Sequence, residues 1–397
     1  MKSRPIPALS LVVLSAAAVV VSGACSIRDI AMRKSLEDLA VTHLWQDTKM
    51  VLQGSAANVG YGNSVGMSAN YAIIGAPGVD SFQGAAILLA RSGSSWTALP
   101  PLYSSTRVNN DLFGYTVAIS DQLAAAASNG TKDVEIFQNS AGIWSWAMGD
   151  TGTTAGFGSL DVWNDYVIAG DSTDGIARIY HKSGVWVSAP LAGSAADKFG
   201  CSVSISESWA VVGADEHDGT LINSGIVYVY QRSGTNSWTL TQSITPPTEA
   251  LNSYFGQSVC VRGTQMIIGE RGASKVHFYE MSGSQWAYQG FCFVKGTVAT
   301  DEFGTAVVIA SGVAATGAFG KDSKAGIVYP FEYSSGAWRN SIQTPLSYAG
   351  RAANDNFGQS VSMNDDFMLI GAPWIDGDNG VDSGAAFLYE KVDKIGK

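Results

Sequence analysis

The chain has 397 residues with 45 glycines, eleven tryptophans and only 15% charged residues, against ~7% Gly and roughly 25% charged in an average globular protein. So little charge excludes a disordered chain or a coiled coil, and so much glycine works against long helices, where each Gly costs about 1 kcal/mol relative to Ala. Twenty-four basic against 34 acidic residues give a net charge of −10 with no Lys/Arg cluster, so no nucleic-acid partner is expected, since binding phosphates needs a basic footprint.

The chain opens with Lys2 and Arg4, then an uncharged stretch from Leu9 to Val21 that ends in Ser22-Gly23-Ala24 before Cys25. A basic start, an apolar stretch and small residues are the layout of a secretory signal, so residues 1–24 are expected to direct export to the cell surface or medium. Ile6 to Ala24 is also long enough for an uncleaved anchor, and both readings stand. Ser22-Gly23-Ala24-Cys25 resembles the cleavage box of bacterial lipoproteins, which implies lipidation at Cys25; the other reading is ordinary cleavage after Ala24. Membrane contact is expected only through this segment. Residues 25–40 read as a linker or short helix. Cys25, Cys201, Cys260 and Cys292 lack metal-ligand spacing and are too few for a disulfide scaffold.

An aromatic-Gly dipeptide then recurs every 42 to 56 residues, as Tyr61-Gly62, Phe113-Gly114, Phe157-Gly158, Phe199-Gly200, Phe255-Gly256, Phe303-Gly304 and Phe357-Gly358. Each dipeptide opens an alternating strand, as in Phe199 to Ile205. An apolar run ending in Gly-Ala or a variant follows, as in Val211 to Ala214, then a polar Gly/Asp loop and a third strand such as Ile226 to Tyr230. A fourth strand carries a tryptophan: Trp96, Trp144, Trp186, Trp238, Trp286 and Trp338. Four short strands between turn signals predict one antiparallel sheet per unit. The seventh unit ends after Tyr389 without its tryptophan, whereas Trp45 stands before the first unit at the phase of a fourth strand. The N-terminal strand is therefore expected to complete the last sheet and close a ring, which removes the open edges of a linear array. The prediction is an all-β, seven-bladed β-propeller over residues 41–397.

Phe-Gly followed by Gly-Ala-Pro, as in Gly75-Ala76-Pro77 and Gly371-Ala372-Pro373, resembles FG-GAP repeats, the unit of the propeller at the N-terminus of integrin α chains and of many bacterial and protist surface proteins. The match is strong in units four and seven and weaker in unit two, with Ala124 to Ser128, and unit five, with Gly269-Glu270-Arg271. The resemblance implies a monomeric secreted or surface-displayed propeller that binds an extracellular protein or glycan through its loops. Integrin propellers also bind calcium in acidic loops, and the nearest counterpart is the loop Asp376 to Asp382. That likeness implies Ca2+ at Asp376, Asp378 and Asp382, although Gly380 stands where a third ligand belongs. Asp, Asn and Gly are also what tight hairpins use, and the residues alone read first as a plain loop. A poorer calcium candidate is Asp215 to Asp218.

Asp111, Asp197, Asp301 and Asp355 stand two residues before a Phe-Gly, and a position repeated in four units reads as a turn cap rather than a catalytic group. Gly62-Asn63-Ser64-Val65-Gly66 matches a hydrolase nucleophile elbow, but Ser64 shares the repeat phase of Ser202, Ser258 and Ser360. His43, His181, His217 and His277 fall in no catalytic order. The expected function is non-catalytic recognition or adhesion; the alternative is a secreted hydrolase whose residues converge on the channel. Asn129-Gly130-Thr131 is a glycosylation sequon.

Overall fold

The computed structural model describes residues 41–395 except 55, 152–155, 342, 378 and 379, so the readings on residues 1–24, on 25–40 and on Cys25 lie outside the described residues. His43–Val392 form one compact unit; a second, Met1–Thr42 with Asp393–Lys397, falls largely outside the description. The first unit consists of seven four-stranded antiparallel sheets. In blade 4 the strands are Ser202–Ile205, Trp209–Ala214, Ile226–Gly234 and Ser237–Ile244, hydrogen-bonded in that order from the inside out. Blade 7 takes Ser360–Met363, Phe367–Ala372 and Ala385–Ile395 from the end of the chain and its outer strand, Val41–Gln53, from the beginning. The ring is closed as the phase of Trp45 predicts.

The glycines explain why the repeat is spelled as it is. At Gly75, Gly170, Gly213, Gly269, Gly317 and Gly371, the Gly of each Gly-Ala or its variants Gly170-Asp171 and Gly269-Glu270, an added Cβ would collide with the carbonyl oxygen of the aromatic-Gly glycine that opens the next blade, Gly62 serving for Gly371. Those partner glycines, Gly62, Gly114, Gly200, Gly256, Gly304 and Gly358, all sit at φ between 84° and 93°, where side chains are disfavoured. Neighbouring blades thus meet backbone to backbone along their inner edges. Between blades 2 and 3 the device lapses: Ala127 replaces the first glycine, and Gly158 has open space around it and no positive φ. A second link lies beside the first. Ser159, Ser202, Ser258 and Ser360 each donate a hydroxyl hydrogen bond to the glycine carbonyl of the next blade, at 2.6 to 2.9 Å. Ser64 holds the equivalent place, accepting the Val117 N–H at 3.0 Å.

Farther out, the aromatic residue of each dipeptide is buried, from Tyr61 through Phe113, Phe157, Phe199, Phe255, Phe303 and Phe357. All seven repeat tryptophans lie on outer strands. Trp45, Trp96, Trp286 and Trp338 are buried, while Trp144, Trp186 and Trp238 are half-buried, so the tryptophans fill the outer gaps unequally. Two are also clamped by a neighbouring blade. Gln242 donates to the Trp286 carbonyl and accepts its N–H at 3.0 and 2.9 Å. Gln343 does the same for Trp45 at 2.6 and 2.7 Å, one side-chain amide standing in for a ladder partner.

Candidate functional site

Where the first and second strands of each blade turn back, the ring opens into a cavity of about 810 Å³ lined by blades 1, 2, 3, 5, 6 and 7. These turns follow alternating strands whose apolar residues face the neighbouring blades, which leaves the short polar tips at the mouth. Hydrogen bonds run from tip to tip around it. Asn364 of blade 7 donates to the Ser68 carbonyl at 2.7 Å, and Asp121 of blade 2 accepts from the Ser68 hydroxyl and the Asn70 amide of blade 1 at 2.6 and 2.7 Å. The Ser120 hydroxyl donates to the Asn164 carbonyl of blade 3 at 2.6 Å.

On the far wall, Arg262 of blade 5 reaches past blade 4 to pair in bidentate fashion with Asp161 of blade 3, at 3.1 and 3.3 Å. Asp161 also accepts from the Ser204 hydroxyl and the Ile205 N–H of blade 4, at 2.8 and 2.9 Å. Burial opposes the charge on Arg262, but the adjacent carboxylate more than offsets it, so the guanidinium holds its proton more tightly than usual. At the near wall Arg91 pairs with Asp366 at 2.8 Å and lies 4.7 Å from the centre of the Phe367 ring. Around these pairs Trp163, Thr264 and Gln265 line the cavity, with exposed Asn164 and Ser311 at its rim. The site mixes apolar wall with polar tips, both of its arginines are paired with carboxylates, Asp121 and Asp365 accept hydrogen bonds from neighbouring blades, and its walls are held by several blades at once. Such an arrangement suits a ligand with many hydrogen-bonding groups better than one needing an unpaired acid or base.

None of the residues lining this mouth was a candidate from the sequence. They share a phase of the repeat, but the repeat constrains the inner strands and not their tips. The acidic loop of blade 7 lies elsewhere, between the second and third strands. Asp376 accepts the Asp382 N–H at 3.0 Å, and Asp378 lies outside the described residues. Blade 4 repeats the device, Asp218 accepting the Asn223 N–H at 2.9 Å. Asp382 and Asn223 both have left-handed backbones, at φ 53° and 51°. The same backbone hydrogen bond forms in blade 4 with a neutral Asn at the place of Asp382, so Asp376 and Asp218 both shape their turns; among the described residues, which omit Asp378, no three His, Cys, Asp or Glu side chains are grouped to hold a metal.

Three acids before the Phe-Gly accept backbone N–H groups: Asp111 from Thr131, Asp301 from Val298 and Asp355 from Ala352. Asp197 instead meets the His217 ring at 3.0 Å. His181 pairs with Asp165 at 2.9 Å, and His277 with Glu270 at 2.8 Å, partners the sequence did not suggest. Each pair stays within one blade, and none lines the mouth. Asn129 is exposed, and the Thr131 hydroxyl of its sequon donates to Asp111.

This ring with its convergent mouth defines a seven-bladed β-propeller. Residues 190–230 and 346–389 match the family model described as FG-GAP repeat, on blades 4 and 7, and the chain is thus a propeller carrying FG-GAP repeats. Among solved structures, a chain in the crystal structure of a mitotic checkpoint complex shares 12% identity with a TM-score of 0.55, over 85% of this chain and 94% of that one. The crystal structure of RRP9 WD40 repeats shares 12% identity with a TM-score of 0.57, over 88% and 99%. At such identity the likeness concerns the fold alone. No curated protein matches the sequence. No helix among the described residues is long and apolar enough to cross a membrane.

Proposed function

We infer that the protein is a monomeric, non-catalytic recognition or adhesion propeller of the cell surface or medium, which binds an extracellular protein or glycan through the loops of its blades. The observation that carries this reading is the cavity of about 810 Å³ at the channel mouth. Its acids and bases are spent on one another and on interblade contacts, which favours shape and hydrogen-bond recognition over proton transfer. The basic and apolar N-terminal segment supports export, and lipidation at Cys25 is one way the ring would be held at a surface.

The test is a screen of the full chain against glycans and extracellular proteins, with and without calcium, repeated with Ser311→Arg. Ser311 is exposed at the mouth, and a bulky cation there is expected to weaken a genuine ligand about tenfold or more. A screen without any binder, or a binder indifferent to that substitution, would sink the reading. Chelator is expected to leave the melting temperature unchanged, because the Asp376 loop acts through its backbone. A rise of several degrees on adding calcium would place a cation there, since a ligand of the folded state alone stabilises it.

A further inference from the structure

We propose that the cleft at the outer corner of blade 5 docks an acidic, apolar-bearing peptide segment of a partner protein. The cleft lies beside a short loop of blade 5. Between its second strand, Gln265–Glu270, and its third, Lys275–Ser282, stand only the 3-10 turn Arg271–Ala273 and Ser274. In blades 4 and 7 the corresponding connections run from 215 to 225 and from 373 to 384. They lie against the loop that enters the next blade, the Ile222 and Val381 carbonyls accepting the Asn252 and Asn58 N–H groups. Without such a cover, blade 5 keeps an open cleft of about 410 Å³.

Its lining has three properties that point to one chemistry. Phe291 and Phe293 are 47% and 53% exposed, with ring centres 6.0 Å apart, and Val298 in the same loop region is 56% exposed. Clustered apolar surface of this kind marks an interaction site far better than single exposed residues do. Lys275 Nζ lies 5.2 Å from the centre of the Phe291 ring and Lys295 is exposed beside it; neither forms an ion pair among the described residues. Two cations without a carboxylate partner among the described residues, around two aromatic rings, are conspicuous in a chain of net charge −10. Finally, Ser274 is 6% exposed, lines the cleft, and its hydroxyl has no hydrogen-bond partner. A buried hydroxyl left unpaired costs free energy that a ligand oxygen would recover.

Carboxylates of a peptide would meet Lys275, Lys295 and the Ser274 hydroxyl, and its apolar side chains would cover the phenylalanines. A glycan is the weaker fit, because Phe rings offer no polar edge to sugar hydroxyls. This inference rests on the recognition reading and adds a surface and a partner class to it.

The probe is a short fluorescein-labelled peptide of alternating Glu and Leu, with a Lys/Leu peptide as control, titrated against the full chain by fluorescence anisotropy. Binding of the Glu peptide alone is expected, weakening with salt and falling about tenfold or more in Lys275→Glu/Lys295→Glu and in Phe291→Ser/Phe293→Ser. Melting temperatures of these variants should match the parent, which separates lost contacts from lost fold. No binding of the Glu peptide, or equal binding by the variants, overturns the proposal. Tighter binding of an anionic oligosaccharide that the lysine variant abolishes would also overturn it, in favour of a glycan. A partner from the broad screen that binds parent and lysine variant alike would leave the recognition reading intact and remove this one. Conversely, peptide binding with an empty screen would sustain this site and remove the channel mouth.

Discussion

Asp215 follows the Gly-Ala of blade 4 and is 8% exposed, with the Cys201 thiol beside it. Burial raises its pKa above the ordinary carboxylate value, and it raises that of Cys201 as well, with Asp215 adding to that shift. A folded-state pKa above the unfolded one means that the fold prefers the protonated acid. The contribution of Asp215 to stability is therefore fully present below the ordinary carboxylate pKa of about 4 and is lost as pH rises through the folded value. Asp215→Asn is expected to raise the melting temperature at pH 7, with the gain disappearing on titration to about pH 4. A variant that melts lower at neutral pH would show that the charge is stabilised by contacts other than those described. The sequence marked this residue only as part of a weak calcium candidate, Asp215 to Asp218, and gave no sign of its burial beside Cys201. The pair Asp161–Arg262 was equally illegible, its members standing 101 residues apart with no motif to join them.

The blade is the element that the sequence did spell out, and the reason is steric. A strand alternation can drift without penalty at exposed positions, but at six of the seven inner seams the two glycines cannot accept a side chain, so both recur while the loops of the unit vary in length. Gly213 lacks positive φ, so its replacement tests contact alone: Gly213→Ala would drive a methyl into the Gly256 carbonyl and the Ser202 hydroxyl. A loss of about 2–3 kcal/mol by chemical denaturation is expected. Gly158→Ala, at the one seam where Ala127 has replaced the facing glycine, meets open space and should lie within about 0.5 kcal/mol of the parent. Equal costs at the two positions would refute the seam as the origin of the repeat. The weak match of unit two to the repeat pattern is thus a real change of packing between blades 2 and 3. The tips of the same blades were not legible, because hairpin turns tolerate many residues and carry function instead of fold.

For the molecule as a whole, the phase of Trp45 was enough to read ring closure, since each tryptophan lies on the outer strand of its blade and Trp45 is the one left to fill blade 7. In the structure that strand is held on both sides, by the Ala385–Ile395 ladder and by the Gln343 amide. Deleting residues 41–53 would bare the edge of Ala385–Ile395 and remove the buried Trp45 from the core. The deleted chain is expected to melt at a markedly lower temperature and to run as oligomers on size exclusion, through edge-to-edge pairing. A monomer of unchanged stability would show that closure contributes little.

The same strand sets an order of events. Thr48 donates to the Leu388 carbonyl across 340 residues of sequence, whereas within blade 4 Thr241 reaches the Val229 carbonyl across 12. By the usual logarithmic dependence on loop length, bringing together the distant pair costs about 3 kcal/mol more in chain entropy than the near one. Six blades can form from local hairpins while the chain is still lengthening, but the seventh has nothing to pair with until the last strand exists. Closure is therefore expected to come last in folding, and until it happens blade 7 lacks its outer strand.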